Sequence, residues 1–383
     1  MMEKSKVAIV RCRSYDWDEV DKAVRTGIGL LGGISNFVKT GERIVIKPNL
    51  LCGADPDRCV NPHPSVFKAV GSLLSEYDVD LYYGDSPGFG KCEKHMEKAK
   101  LKGVADELGI KLADFDNGQT ISHKDALLNK RFVIAKGVLD SDGLISLSKL
   151  KTHQLTRLTG SVKNQFGCIP GVLKGEYHVK MPDPYDFSAM LIDLNTLIKP
   201  RLYIMDAIIA MEGNGPRSGD QKKLNALLFS GDPIALDSVA CKIVDLDPEF
   251  VPTSKLGEEA GLGTYHYENI EVVGEDAESF IDKSFNIIRK PPSSSKGGRI
   301  KRFIRNQVAP RPIIDKVNCD TCGTCVKMCP VEPKAVDWHT GKKTKSPTYK
   351  YDRCIRCYCC QELCPKGAIT VRNTILGKVI LKL

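Results

Sequence analysis

The sequence predicts an α/β domain with a mainly parallel sheet, followed by a small, cysteine-rich α+β domain. Two observations carry this. Short apolar runs alternate with helical periodicity up to about residue 290, and nine of the 15 cysteines fall between Cys319 and Cys364. Alternating strand and helix patterns argue for parallel strands with helices packed on both faces. Apolar residues make up 42% of the 383. That is enough for one large core or two smaller ones and excludes disorder for the bulk of the chain.

Taken in order, the strand candidates are 6–12, 43–47, 79–84, 131–135, 143–148, 201–206 and 225–230. A first helix is marked by Val20, Ala23, Val24, Ile28 and Leu31. A second starts at Pro64, a favoured first helical position, and carries Val66, Phe67, Val70, Leu73 and Leu74. A third fits Met190, Leu191, Leu194, Leu197 and Ile198. The expected organisation is an α/β domain over 1–290, a basic linker over 291–312, a cysteine-rich domain over 313–375 and a tail over 376–383.

The charge count is 56 − 47 = +9, a moderate excess. From Lys283 to Ile314 there are nine basic residues and no acidic one. Pro291-Pro292-Ser293-Ser294-Ser295 interrupts this stretch, and Ile300, Phe303, Ile304 and Val308 then follow at helical spacing. It reads as a solvated tether, with docking of an acidic partner as the next reading. No interleaved aromatics support base stacking, so nucleic acid ranks last. No run approaches the roughly 18 apolar residues of a membrane span. The apolar stretch after Lys6 is too short for a signal-peptide core, so a cytoplasmic protein is expected.

The strongest local signal is Cys319-x-x-Cys322-x-x-Cys325-x-x-x-Cys329-Pro330, repeated as Cys354-x-x-Cys357-x-x-Cys360-x-x-x-Cys364-Pro365. Three cysteines at intervals of three can wrap one iron–sulfur cubane. The fourth, before a proline that turns the chain, points to the other cubane. The expectation is therefore crossed ligation of two 4Fe–4S clusters. One takes Cys319, Cys322, Cys325 and Cys364, and the other Cys354, Cys357, Cys360 and Cys329. Structural zinc favours two separated Cys-x-x-Cys pairs and is the competing reading. Cys359 is the odd cysteine and reads as a non-ligating packer beside Cys360.

These residues resemble the bacterial two-cluster ferredoxins over about 315–372, and the resemblance implies a ferredoxin-like fold and low-potential electron transfer. The 24 residues between Cys329 and Cys354 exceed what a compact ferredoxin needs. A surface loop around Trp338–Tyr349, touching a partner or the large domain, is expected.

Several unusual segments fall where strand-to-helix loops are predicted. They are Lys47-Pro48-Asn49, Gly84-Asp85-Ser86-Pro87-Gly88, Lys149-Leu150-Lys151-Thr152-His153 and Gly160-Ser161-Val162-Lys163-Asn164-Gln165-Phe166-Gly167. Met205-Asp206 with Glu212-Gly213-Asn214-Gly215-Pro216, and Gly231-Asp232-Pro233-Ile234-Ala235-Leu236-Asp237, complete the set. In this order they resemble the domain of unknown function 362 family over roughly 40–250. Members of that family often carry a C-terminal two-cluster ferredoxin module.

Lys47, Lys149, Lys151 and Lys163 are candidates to bind a carboxylate or phosphate. Asn49 and Asn164 are candidates to orient it, and His153 or His178 to donate a proton. Asp85, Asp206 and Asp232 could hold a cation or orient those lysines. The structural alternatives are an N-cap for Asp232, a self-bonded turn for Asp85 and ordinary polar contacts for the histidines. Lys47, Asn49, His153, Lys163 and Asn164 are the expected catalytic set. Gly27-Ile28-Gly29-Leu30-Leu31-Gly32 follows a helical segment rather than a strand, so it is not a dinucleotide fingerprint. Ser146-Leu147-Ser148-Lys149 lacks the companions of a Ser-x-x-Lys enzyme, and there is no Walker loop.

The resulting expectation is a ferredoxin-dependent oxidoreductase that takes electrons from a redox partner protein. Lys47 and Lys163 would hold a small anionic substrate on the α/β domain. The alternative is a non-catalytic ferredoxin-like carrier or adaptor serving another enzyme.

Overall fold

A computed structural model describes residues 4–294, 296, 307–338, 341 and 343–376. Strands of the large domain are β1 (Ser5–Arg11), β2 (Arg43–Pro48), β3 (Asp80–Tyr83), β4 (Lys111–Leu112), β5 (Gly118–Ser122), β6 (Arg131–Ala135), β7 (Gly143–His153), β8 (Arg157–Thr159), β9 (Leu202–Glu212), β10 (Asp220–Ser230) and β11 (Ile270–Gly274). Its helices are α1 (Trp17–Leu30), α2 (Pro64–Ser75), α3 (Cys92–Lys98), α4 (Leu101–Glu107), α5 (Lys136–Leu139), α6 (Ser161–Asn164), α7 (Leu173–Lys180), α8 (Pro184–Ile198), α9 (Pro233–Ile243) and α10 (Pro252–Glu259).

The main sheet runs β11-β1-β10-β9-β7-β2-β3-β4, with β8 folded back on β7. It is mixed and mostly parallel: β10 runs against β1 and β9, and β8 against β7, while the other neighbours are parallel. The antiparallel β10 follows from its short connection to β9, which leaves no room for a crossover helix. The 131–135 strand forms, but it pairs with β5 in a separate hairpin rather than joining the main sheet.

Side chains alternate across the sheet, as period two requires. Val7 and Ile9 of β1 enter one core with Tyr203, Met205, Leu236 and Val239; Ala8, Leu202 and Ile204 enter the other with Val24, Phe67 and Leu191. Capping fixes where helices begin. Asp183 Oδ1 accepts the Tyr185 N–H at 2.9 Å at the start of α8. Asp232 Oδ1 accepts those of Ile234 and Ala235 at 2.8 and 2.9 Å at the start of α9. The cap reading of Asp232 therefore holds, and the cation-holding role is withdrawn.

The small domain is ferredoxin-like. Strand β12 (Arg311–Ile314) pairs antiparallel with β15 (Ile369–Arg372), and β13 (Val336–Asp337) with β14 (Thr348–Tyr349). Short helices α11 (Thr324–Lys327) and α12 (Cys359–Glu362) lie between them. β12 begins at Arg311, inside the stretch read as linker, because its ladder needs a partner for Arg372 and Val371. The helical spacing at Ile300, Phe303 and Ile304 lies outside the described residues. Trp338 turns back on its own domain: its indole N–H donates to the Lys345 carbonyl at 2.7 Å. No helix among the described residues is long and apolar enough to cross a membrane.

Helix α12 docks this domain on the large one. Gln361 Nε2 donates to Asn214 Oδ1 and the Gly215 carbonyl at 3.0 and 3.1 Å, and Arg217 Nη1 to the Leu363 carbonyl at 2.7 Å. Gln361 and Glu362 are both buried. The module thus meets the large domain beside the carboxyl ends of the sheet strands, the position where open α/β sheets hold their ligands.

Candidate functional site between the two domains

The carboxyl ends of β2 and β7 are unusually polar for central strands. All eleven residues of β7 are buried, including Ser146, Ser148, Lys149 and Lys151. A buried ammonium is stabilised by an ion pair and by hydrogen bonds; Lys149 has both, whereas Lys151 has hydrogen bonds to neutral acceptors only. Lys149 Nζ contacts Asp206 Oδ2 and donates to Tyr15 OH, both at 2.8 Å. Lys151 Nζ donates to Asn49 Oδ1 and the Val60 carbonyl at 2.6 Å, and burial lowers its pKa to about 7.

Lys47, 0% exposed, pairs with Asp85 Oδ1 at 2.7 Å and donates to the Asn164 carbonyl and Oδ1 at 2.6 and 3.2 Å. Asp85 Oδ2 accepts the Leu50 N–H at 2.6 Å. Asn164 Nδ2 in turn donates to Ser146 Oγ at 2.9 Å. Gly167 closes this arrangement from above: a Cβ there would collide with Asp85 Oδ1. The glycine that follows Lys163-Asn164 is therefore required by the ion pair beneath it.

In front of this layer, a cavity opens between the domains. The large domain lines it with Asn49, Asp85, Ser86, Lys163, Asn164, Phe166, Lys174 and His178, and the module with Met328, Cys359, Glu362 and Leu363. Lys163 makes no hydrogen bond or ion pair among the described residues, although burial lowers its pKa and Glu362 and Cys359 oppose that effect. Lys174 Nζ, by contrast, is engaged by Ser86 Oγ at 2.9 Å and the Ile169 carbonyl at 2.7 Å.

His153 bridges the domains from behind. Its Nδ1 accepts the backbone N–H groups of Leu155 and Thr156 at 3.1 and 3.2 Å, so the ring proton sits on Nε2, 2.9 Å from Glu362 Oε1. Burial pushes its pKa down to about 4, which leaves the imidazole neutral at pH 7. Burial alone would raise the Glu362 pKa, but His153 and Lys163 outweigh it and hold the carboxylate low. His178 stacks on Phe187 with ring centroids 4.6 Å apart and leaves its Nδ1 unpartnered, and burial lowers its pKa to about 4.

The cysteines gather around two further cavities. Cys319, Cys322, Cys325 and Cys364 line one of about 320 Å³; Cys329, Cys354, Cys357 and Cys360 line one of about 310 Å³. Each set draws three sulfurs from one half of the duplication and the fourth from the other. The remaining walls are mainly apolar, with Ile314, Ala368 and Ile369 in the first and Val331, Ala335 and Val336 in the second. Four thiols around a shielded hollow are the donor set an iron–sulfur cubane requires. Among the described residues, no three His, Cys, Asp or Glu side chains converge as they would on a single metal ion.

Residues 44–242 match the domain of unknown function DUF362, and residues 318–368 match a 4Fe-4S dicluster domain. A thylakoid-associated protein of Synechocystis sp. is 37% identical over 257 residues, which cover 67% of this chain and 79% of that protein. The chain belongs to the DUF362 family. Among solved structures, the lactate racemase apoprotein from Thermoanaerobacterium thermosaccharolyticum aligns with a TM-score of 0.39 and 12% identity, over 63% of this chain and 56% of that one. A protein from Thermotoga maritima aligns with a TM-score of 0.38 and 12% identity, over 61% and 60%.

In this DUF362 chain, Asn49, Lys163 and Asn164 come together on the cavity, while Lys47 and His153 sit one layer behind it. Lys47 therefore does not offer a free ammonium to a ligand, because Asp85 and Asn164 consume its donors. Lys149 and Lys151 are structural for the same reason. Asp85 is more than a self-bonded turn, and Asp206 holds Lys149, Tyr15 and the His63 N–H rather than a cation. Cys359 does not merely pack: it lines the cavity. Glu362, Lys174 and Met328 were missed. Only Glu362 left a sequence signal, as an acidic residue two positions before Cys364.

Proposed function

We propose that this DUF362 protein is an iron–sulfur oxidoreductase whose C-terminal module serves a small anionic substrate bound between the domains. Cys319, Cys322, Cys325 and Cys364 would hold one 4Fe–4S cluster, and Cys354, Cys357, Cys360 and Cys329 the other. Two such clusters supply single electrons at low potential when bound. The observation that carries the reading is the makeup of the cavity wall. Met328, Cys359, Glu362 and Leu363 line it; Met328, Cys359 and Leu363 are each next in sequence to a cysteine of one of the two cages, and Glu362 is two positions from Cys360 and from Cys364.

The chain's own residues then divide the work. Lys163 offers the unengaged ammonium, a point charge suited to a carboxylate or similar compact anion. Asn49, Ser86 and Asn164 surround it with hydrogen-bonding groups, while Phe166, Leu363 and Met328 exclude water from the remaining wall. His153 and Glu362 lock α12 against β7, so that the cavity and the cysteine cages keep a fixed relation. The six cysteines of the large domain are buried and unpaired, which suits a reducing, cytoplasmic setting. The Synechocystis relative's thylakoid association favours a place at a membrane periphery. A pure carrier is the second reading: Cys322 is exposed, which leaves the first cage open to a partner protein.

Iron and sulfide assays on anaerobically purified protein test the cofactor claim. About eight irons per chain are expected; about four, or stoichiometric zinc, would overturn it. Cys364→Ser should halve the iron and leave the Cys354–Cys360 cage loaded, as read by paramagnetic resonance. Loss confined to the second cage would refute the crossing. Reoxidation of the reduced protein by a panel of small carboxylates tests the substrate class. Lys163→Gln should lower kcat/KM roughly ten- to hundred-fold, as loss of a charged hydrogen bond does. If no carboxylate reoxidises the protein but an electron-carrier protein does, the carrier reading replaces the enzyme.

A further inference from the structure

Outside the interdomain cavity, the module and helix α7 form a second, open groove of about 880 Å³. From α7 and the residue before it come Val172, Gly175, Glu176, Val179 and Lys180; from the module come Lys327, Met328, Cys329, Pro330 and Lys334. Two features set it apart. Val172 is 72% exposed and Val179 43% exposed, a pair of unpartnered branched side chains on one wall. Three lysines surround them against a single glutamate.

The lysines differ in availability. The Lys327 side chain has no hydrogen bond or ion pair among the described residues. Lys180 meets Glu176 at 3.2 Å, an exposed pair of the weak kind that a partner readily displaces, and its ammonium lies 5.8 Å from the centroid of the Tyr177 ring. Lys334 is committed, to Glu332 at 2.7 Å and to the carbonyl of Cys329 at 2.7 Å. Its role is to stiffen the cage-forming turn at the floor of the groove. That floor contains Cys329, a wall residue of the second cysteine cavity. Met328 and Gly175 line both the groove and the interdomain cavity.

We propose that this groove docks an acidic one-electron carrier protein, with Lys180 and Lys327 steering it and Val172 and Val179 forming the dry centre of the contact. Charge complementarity selects the occupant. A basic rim around a small apolar patch is the counterpart of an acidic, one-electron protein surface, and complementary rims act mainly on the rate of encounter. A small anion would gain nothing from the exposed valines. A second copy of this chain would oppose like charges, given the excess of +9. On docking, the carrier loses one electron and the module gains it; no bond forms and no proton moves. The proposal rests on the electron-transfer reading above and adds the place and the charge of the donor.

The test uses the iron-loaded full chain and an acidic 2Fe–2S ferredoxin as the probe. Its dissociation constant and its second-order rate of electron delivery are measured at low and high salt. Lys180→Glu combined with Lys327→Glu should cut the rate at least about tenfold at low salt, weaken binding and flatten the salt dependence. Reduction of the same variant by methyl viologen radical, a small cation, should be unchanged or faster, and Lys255→Glu on α10 should behave as the native protein. An unchanged ferredoxin rate overturns the proposal. So does an equal loss with viologen, which would make the lysines supports of the module. So does a ferredoxin rate that holds while small-carboxylate turnover falls, which would make the groove an access path. Iron content of the variant, measured alongside, separates failure of this docking site from failure of the cluster reading.

Discussion

Replacing Asp85 by Asn tests whether the polar layer behind the cavity is held by a true buried ion pair. In the native protein the Lys47 ammonium is 0% exposed and meets Asp85 Oδ1 at 2.7 Å, with the Asn164 carbonyl and Oδ1 as further acceptors. Asp85→Asn leaves that ammonium buried without a counter-charge. Breaking such a pair by removing one partner costs about 3–5 kcal/mol. Because two Asn164 oxygens remain, the expected loss lies at the lower end, about 3 kcal/mol. Lys47→Met leaves the carboxylate with the Leu50 N–H and the more distant charge of Lys174, and a loss of about 3 kcal/mol is expected on the same grounds. The double variant buries neither charge, so its cost should fall short of the sum by about 2 kcal/mol or more.

The assay is denaturant unfolding read through Trp17, which opens α1 in the large domain. The chain has two tryptophans, so a Trp338→Phe background isolates that signal. Asp80→Asn provides the contrast: its partner Lys111 lies 2.9 Å away, but the two side chains are 49% and 61% exposed, and a loss of about 0–1 kcal/mol is expected. If Asp85→Asn behaves like Asp80→Asn, or if the two single changes add within about 0.5 kcal/mol, the coupled-pair account is wrong.

The same assay carries two further predictions. Gly167→Ala drives a Cβ into Asp85 Oδ1 and should cost about 1–3 kcal/mol through overpacking, whereas Gly29→Ala, which meets nothing within 4 Å on α1, should be neutral or stabilising. Equal effects at the two glycines would remove the argument for close approach at Gly167. The pH profile should have two rising limbs. Burial lowers the Lys151 pKa from 10.5 to about 7, so between those values the unfolded chain holds a proton that the folded one does not, and stability climbs with pH. Burial likewise lowers His63 from 6.5 to about 4, so stability falls as pH drops through that window. Each group contributes at most about 1.4 kcal/mol per pH unit. Lys151→Met should make the alkaline limb shallower, with Lys174, also lowered to about 7, supplying the rest. His63→Phe should do the same to the acid limb, to which His153 and His178 at about 4 also contribute. Slopes that persist unchanged would refute the assignments.

What was legible in the sequence was what local physics decides. The runs at 43–47 and 201–206 and the helix after Pro64 declare themselves because burial on both faces, or period 3.6, leaves a mark within a few residues. Asp232-Pro233 announces a capped helix start because both partners of the cap lie within three positions. The cysteine triplets announce their cages for the same reason. Strand β7 extends past the 143–148 run to His153, and its polar second half leaves no local mark because it satisfies itself through distant chain. Lys149 finds Asp206 57 residues away, and Lys47 finds Asn164 at a separation of 117. Nothing near Lys47 distinguishes it from Lys163, yet one is an internal strut and the other faces the cavity.

The same distinction explains why the candidate site was only half readable. Its cationic group, Lys163, belongs to the α/β domain, and Glu362, a carboxylate that acts on it, belongs to the module. His153 meets Glu362 across the interface at 2.9 Å. The contacts that bring these groups together, Gln361 to Asn214 and Arg217 to the Leu363 carbonyl, span roughly 150 residues of sequence. They lie in segments whose composition reveals nothing of one another. Neither domain alone contains the site: without α12 and Leu363 after it the cavity loses the wall formed by Cys359, Glu362 and Leu363, and Lys163 loses the Glu362 carboxylate that moderates its charge. Docking of the module is therefore part of the site's chemistry rather than a convenience of tethering, and a chain cut between the domains would lose the cavity even if both halves stayed folded.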